Sequence, residues 1–151
     1  MLELNNPIKK LCPKLEKNVN INPNIIILIL NLIFNILKFM SCKVSFIGLG
    51  VMGYPMAGYI SKAGHNVTVY NRTKSKAEKW TKQYKGKIAF TPEEAAKDAD
   101  FVFTCVGNDN DLKEVAIGEK GIFNTIKKGS IYIDNTTASA KVARELHKNA
   151  K

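Results

Sequence analysis

A chain of 151 residues can build one domain with a real core but not two of ordinary size, and its 45% hydrophobic and 24% charged residues are a normal globular balance. The net charge of +10, from 23 Lys and Arg against 13 Asp and Glu, would suit a polyanion. The lysines, however, are scattered, with no basic run and no interleaving with aromatics, which argues against a nucleic-acid partner. Cys12, Cys42 and Cys105 are far apart, with no CxxC and no Cys/His ligand spacing; neither a disulfide framework nor a metal site is expected, and a reducing, cytoplasmic setting fits.

Residues 1–39 contain no Gly, Ala, Ser, Thr, Asp or Arg, whereas all ten glycines follow them. The run from Ile25 to Met40 is strongly apolar, but it is 16 residues long and carries Asn31, Asn35 and Lys38, short of the ~20 apolar residues a membrane span needs. No small-residue cleavage site follows it. Asn24, Asn31, Asn35 and Lys38 fall near one face of a helix, which leaves an amphipathic interfacial helix as the remaining membrane option. The expectation is a disordered or helical extension, 1–39, that is not part of the functional protein, preceding a domain that begins at Met40.

Val44, Phe46 and Ile47 read as a short buried strand. It runs into Gly48-Leu49-Gly50-Val51-Met52-Gly53, a G-x-G-x-x-G turn. Gly48 permits the tight turn, Gly50 lets the backbone approach a pyrophosphate, and Gly53 allows close helix–sheet packing. The turn alone is a weak signal; its context strengthens it. Met52, Met56, Tyr59, Ile60 and Ala63 recur at helical spacing, with Pro55 in the first turn and Gly64 as the stop. Asn66 to Tyr70 is a second strand, which completes a βαβ unit of about thirty residues. After it, where an acidic residue would bind the ribose 2′-hydroxyl of NAD, stands Asn71-Arg72-Thr73. Arg72 can hold a 2′-phosphate while Asn71 and Thr73 donate hydrogen bonds, so NADP is favoured over NAD, against the alternative of a solvated loop arginine.

Beyond it, Ser75 to Tyr84 is helical in character, with Ser75 and Glu78 as a candidate capping box. Ile88 to Phe90 is a third strand, and Thr91-Pro92-Glu93-Glu94 opens a capped helix. Asp100 to Val106 is a buried strand ending near Cys105, read as a small core residue. The following Gly107-Asn108-Asp109-Asn110-Asp111 loop is either a plain loop with a helix cap or a cofactor contact. Ser130 to Asp134 is a fifth strand. Thr136, Thr137 and Ser139 after it either bind a carboxylate or nicotinamide ribose or cap the next helix. His65 and His147 read as surface residues.

These motifs resemble the N-terminal domain of the β-hydroxyacid dehydrogenase family, which includes 3-hydroxyisobutyrate dehydrogenase and tartronate semialdehyde reductase. The resemblance covers residues 43–151 and rests on F-I-G-L-G-V-M-G at 46–53 with Pro55-Met56-Ala57, N-R-T at 71–73 and D-N-T-T-A-S-A at 134–140. It implies an α/β, Rossmann-type doubly wound parallel sheet that binds NADP and moves hydride to or from a small 3-hydroxy acid or its semialdehyde. Gly48, Leu49, Gly50, Val51, Met52, Gly53, Asn71, Arg72, Thr73, Val106, Gly107 and Thr137 are then the cofactor-binding candidates, and Thr136 the substrate-carboxylate candidate.

Two departures stand out. Thr136 replaces the family's usual Ser, and Val106-Gly107 replaces a Leu-Pro pair. The family's catalytic lysine belongs to a second, helical domain, and Lys141 and Lys148 do not match it. The chain is therefore expected to be a cofactor-binding fragment, inactive alone, that stops before the last strand of the sheet; the intact form is expected to be a homo-oligomer. The alternative is a non-catalytic nucleotide-binding module.

Overall fold

The computed structural model describes residues 23–39 and 41–151. Cys12 and the proposed start at Met40 lie outside the described residues. The chain divides into two units between Phe39 and Met40.

The first unit holds α1 (Pro23–Phe39). The large apolar side chains described in it are exposed, Leu28 at 68% among them. Among the described residues, no helix is long and apolar enough to cross a membrane.

The second unit is built on five parallel strands, β1 (Lys43–Ile47), β2 (Asn66–Tyr70), β3 (Lys87–Ile88), β4 (Phe101–Thr104) and β5 (Ile131–Asp134), in the order β3-β2-β1-β4-β5. Between them run α2 (Gly53–Lys62), α3 (Lys74–Gln83), α4 (Pro92–Ala96) and α5 (Asp109–Ile117), and α6 (Ala140–Asn149) follows β5. This is the expected Rossmann-type sheet. Its chain path reverses at β1: β2 and β3 lie on one side, β4 and β5 on the other. The crevice for ligands opens there, at the carboxyl ends of β1 and β4.

Strand alternation sends the β1 side chains to two cores. Val44 and Phe46 pack with Ala57 of α2 and with Ala77 and Trp80 of α3. Ile47 packs with Val102, the alanines of α4 and Ile122. Phe46, Ile47 and Trp80 are fully buried, each large side chain contributing about 1.5–3 kcal/mol against exposure. A third cluster joins Leu112 of α5 to Val142 and Leu146 of α6.

Several local expectations change. The face of α2 against the sheet is Gly53, Ala57 and Gly58, while Met52 and Tyr59 are 64% and 72% exposed. Small residues bring the helix close to the strands; Tyr54, Met56 and Ile60 pack half-buried at the edge of that contact, and Met52 and Tyr59 turn outward. α3 starts after Thr73, without a side-chain cap, and Ser75 lies inside it, so no Ser75–Glu78 capping box forms. At α4 the Thr91 side chain does accept from Glu94 N–H, at 3.1 Å, while Glu94 Oε2 accepts from Phe90 N–H at 2.7 Å. That cap shortens β3: Ala89 N–H still donates to Val69 O, but Phe90 turns outward at 65% exposure.

Candidate functional site

The end of β1 has no freedom to be anything but glycine. Gly48 sits at φ +98°, and a Cβ there would lie 2.2 Å from Cys105 O. A Cβ on Gly53 would meet Gly48 O at 2.0 Å. These contacts weld the turn to β4 and α2. Gly50 differs, because a Cβ on it meets nothing within 4 Å. It faces open space directly before the α2 N-terminus, where the first-turn N–H groups and the positive end of the dipole favour an anion.

Neighbouring strands hold the turn from behind. Gly48 N–H donates to Tyr70 O at 2.9 Å, and Leu49 N–H donates to Asn71 Oδ1 at 2.8 Å. Asn71 Nδ2 donates to Thr73 O at 3.0 Å. Asn71 is thus a brace between the glycine turn and the segment after β2, and Leu49, 2% exposed, is buried beneath it.

In front of the turn lies a cleft of about 760 Å³, within the range of small-molecule and cofactor sites. Of the residues singled out from sequence, Gly48, Gly50, Val51, Met52, Asn71, Arg72, Thr73, Val106 and Gly107 line it. Leu49 and Gly53 support its floor, and Thr136 and Thr137 do not line it. The apolar tips Val51, 93% exposed, and Met52 stand at its rim. An open glycine before a helix N-terminus, set in a cleft of this size, fits a dinucleotide pyrophosphate.

Charge in the cleft is mixed. Arg72, 76% exposed, pairs with Asp111 across the opening, Nη1 to Oδ1 at 2.9 Å. Lys76 lines the same wall, and Glu114 faces it from α5. Burial raises Tyr70 above the ordinary tyrosine value, Glu114 adds to this, and Arg72 opposes it. Cys105 is half-buried: it packs against the core cluster of β1 and also lines the cleft. Burial pushes its thiol up, Asp134 pushes it further, and a hydrogen bond from Gly53 N–H pulls it back.

The hydroxyl motif is anchored from β4 and β5. Thr104 Oγ1 donates to Asp134 Oδ1 at 2.8 Å, and Tyr132 Oη lies 2.9 Å from Thr104 Oγ1. Since the single Thr104 proton goes to Asp134, Tyr132 is the donor in the second bond. Burial raises its pKa strongly, which keeps that proton in place. Asp134 Oδ1 also accepts from Thr136 N–H at 2.9 Å, and Thr136 Oγ1 accepts from Val106 N–H at 3.1 Å. Thr136 is thereby held beside the end of β4 with its own hydroxyl proton uncommitted to that bond. Ser139 caps α6 by accepting from Val142 N–H at 3.3 Å, and His65 Nδ1 accepts from Cys42 N–H at 3.3 Å. His65 is half-buried, not a plain surface residue.

Lys76, Phe90, Thr91, Pro92 and Lys120 also line the cleft and were not singled out from sequence. A signal existed for Lys76: it lies in the first turn of the helix that follows Asn71-Arg72-Thr73. Phe90 to Pro92 follow a strand, and strand carboxyl ends are where such sheets bind. Lys120 carries no such signal, because it comes to the cleft only through Glu93 N–H donating to its carbonyl at 3.0 Å.

Residues 43–151 match the family of the NAD binding domain of 6-phosphogluconate dehydrogenase. An uncharacterized oxidoreductase of Shewanella frigidimarina is 62% identical over 104 residues, covering 69% of this chain and 36% of that protein. A probable 3-hydroxyisobutyrate dehydrogenase-like protein of Arabidopsis thaliana, named as mitochondrial, is 38% identical over 110 residues, 72% of this chain and 34% of its own. Among solved structures, a 3-hydroxyisobutyrate dehydrogenase of Mycobacterium tuberculosis with L-serine superposes with a TM-score of 0.66 at 26% identity, covering 74% of this chain and 37% of that one. The chain spans about a third of the length of these relatives. The residues that the family model matches hold the five-stranded sheet and its glycine turn, and the chain belongs to the family of the NAD binding domain of 6-phosphogluconate dehydrogenase, a nucleotide-binding domain of oxidoreductases.

Proposed function

We propose that this chain supplies the cofactor-binding domain of an NADP-dependent oxidoreductase acting on a small 3-hydroxy acid or its semialdehyde. The observation that carries the reading is one cleft in which the open Gly50 turn and the Arg72 guanidinium share a wall. When bound, a nicotinamide dinucleotide supplies the hydride acceptor or donor; the residues of this chain bind and orient it. The Gly48–Gly53 turn and the α2 N-terminus receive the pyrophosphate, and Arg72 with Thr73 receives the adenosine 2′-phosphate. Val106 and Gly107 line the path toward Thr137, and Thr136 contacts a substrate carboxylate. The acid–base lysine comes from outside this chain, which is inactive alone; the intact enzyme is a cytoplasmic homo-oligomer.

The test is equilibrium binding of NADP and NAD to the chain and to Arg72→Ala. The variant is expected to weaken NADP about tenfold or more, as loss of a charge-assisted phosphate contact does, and NAD by less than about twofold. Equal losses for both would refute the 2′-phosphate role.

A further inference from the structure

In a site that favours a 2′-phosphate, Asp111 is the residue out of place. Its Oδ1 holds Arg72 Nη1 at 2.9 Å. The carboxylate is itself fixed: Oδ2 accepts from Asn108 Nδ2 at 3.1 Å, and Asp111 N–H donates to Asn108 Oδ1 at 2.9 Å. A Cβ on Gly107 would lie 3.0 Å from Oδ2, so the group rests against the loop backbone. Its side chain is 25% exposed against 76% for Arg72. The anchored member of the pair is thus the acid, and the movable one is the base. They come from opposite sides of the switch point, Arg72 from the end of β2 and Asp111 from the first turn of α5.

We propose that Asp111 competes with the 2′-phosphate for Arg72, and so sets how strongly this chain prefers NADP to NAD. The inference rests on the reading of Arg72 given above. A carboxylate one hydrogen bond from the guanidinium stands within ion-pair range of any phosphate that the guanidinium receives. It both occupies the arginine in the free chain and repels the incoming dianion. A neutral 2′-hydroxyl meets neither penalty, so the carboxylate lowers NADP affinity selectively. An acid contributed by α5 thereby partly offsets the absence of an acid at the end of β2.

The experiment uses the full chain with 2′,5′-ADP and 5′-AMP as probes, measured by calorimetry at fixed low salt. Asp111→Asn is expected to tighten 2′,5′-ADP about fivefold and leave 5′-AMP within about twofold. In Arg72→Ala the same change should tighten nothing. Glu145→Gln, which removes an acid on α6 paired with Lys113 of α5 at 2.6 Å, controls for net charge and should move neither probe. The proposal is overturned if Asp111→Asn weakens or fails to change 2′,5′-ADP binding, if the gain survives loss of Arg72, or if Glu145→Gln reproduces it. Arg72→Ala alone reports on the parent reading. If it leaves the ratio of the two affinities unchanged, the 2′-phosphate assignment fails; if it lowers the ratio while Asp111→Asn does nothing, only the competition fails.

Discussion

The three glycines of the turn answer to different forces, although the motif treats them alike. Gly53 is needed for packing, since a methyl there would be 2.0 Å from the Gly48 carbonyl oxygen. Gly53→Ala should therefore cost about 1–3 kcal/mol, as overpacking does, and lower Tm. Gly50→Ala meets nothing within 4 Å, so its Tm should fall little, within about 0.5 kcal/mol. Its methyl would project where the backbone must approach the pyrophosphate, so binding of NADP and of NAD should both weaken about tenfold. Thermal denaturation and calorimetry on the two variants separate these roles. A Gly50→Ala chain that keeps full affinity would place the pyrophosphate elsewhere.

At the scale of elements, the site is a set of strand ends tied together by short side chains. Asn71 braces the glycine turn to the segment after β2, and Asp134 and Thr136 brace the end of β5 to β4. Asn108 caps α5 by accepting from Asn110 and Asp111 N–H groups, each at 2.9 Å, and the same loop lines the cleft through Gly107 and Asp111. Asp109 links α5 to α6, its Oδ1 accepting from Ser139 N–H at 2.8 Å. The hydrogen bonds from Ser139 hold the Asp109 carboxyl below the ordinary aspartate range. A carboxylate lowered in this way adds stability that is complete above its ordinary value and is lost as pH falls through the lowered one. Asp109→Asn should accordingly lose less stability than the parent chain between pH 5 and about 3. Urea denaturation across that range checks it, and parallel pH profiles would show that the Asp109–Ser139 link contributes nothing.

For the whole molecule, the sheet, its covering helices and the cleft all lie within the stretch that matches the family, residues 43–151. A chain starting at Met40 should therefore unfold within about 2 °C of the 151-residue chain and bind NADP equally well. A drop in Tm or affinity on removing residues 1–39 would give α1 a structural role.

Sequence alone was enough for the βαβ unit, the parallel sheet and the glycine-turn and N-R-T residues of the cleft. Apolar periodicity, glycine spacing and the N-R-T segment are local, and local geometry decides a strand, a tight turn and a helix start. It was also enough for the Thr91 cap, whose partners are three residues apart. Contacts between distant segments were decided only by the tertiary structure. Tyr59 shares the helical spacing of Met56 and Ile60, yet those two pack against the core while Tyr59 is 72% exposed. Cys105 packs against the core as expected, and only the fold shows that it also lines the cleft at the β1–β4 switch point. The pairing of Arg72 with Asp111, 39 residues apart, carries no sequence signal at all, because it depends on β2 and β4 lying on either side of β1. An arginine after the second strand says what the site attracts; which acid faces it is a property of the folded sheet.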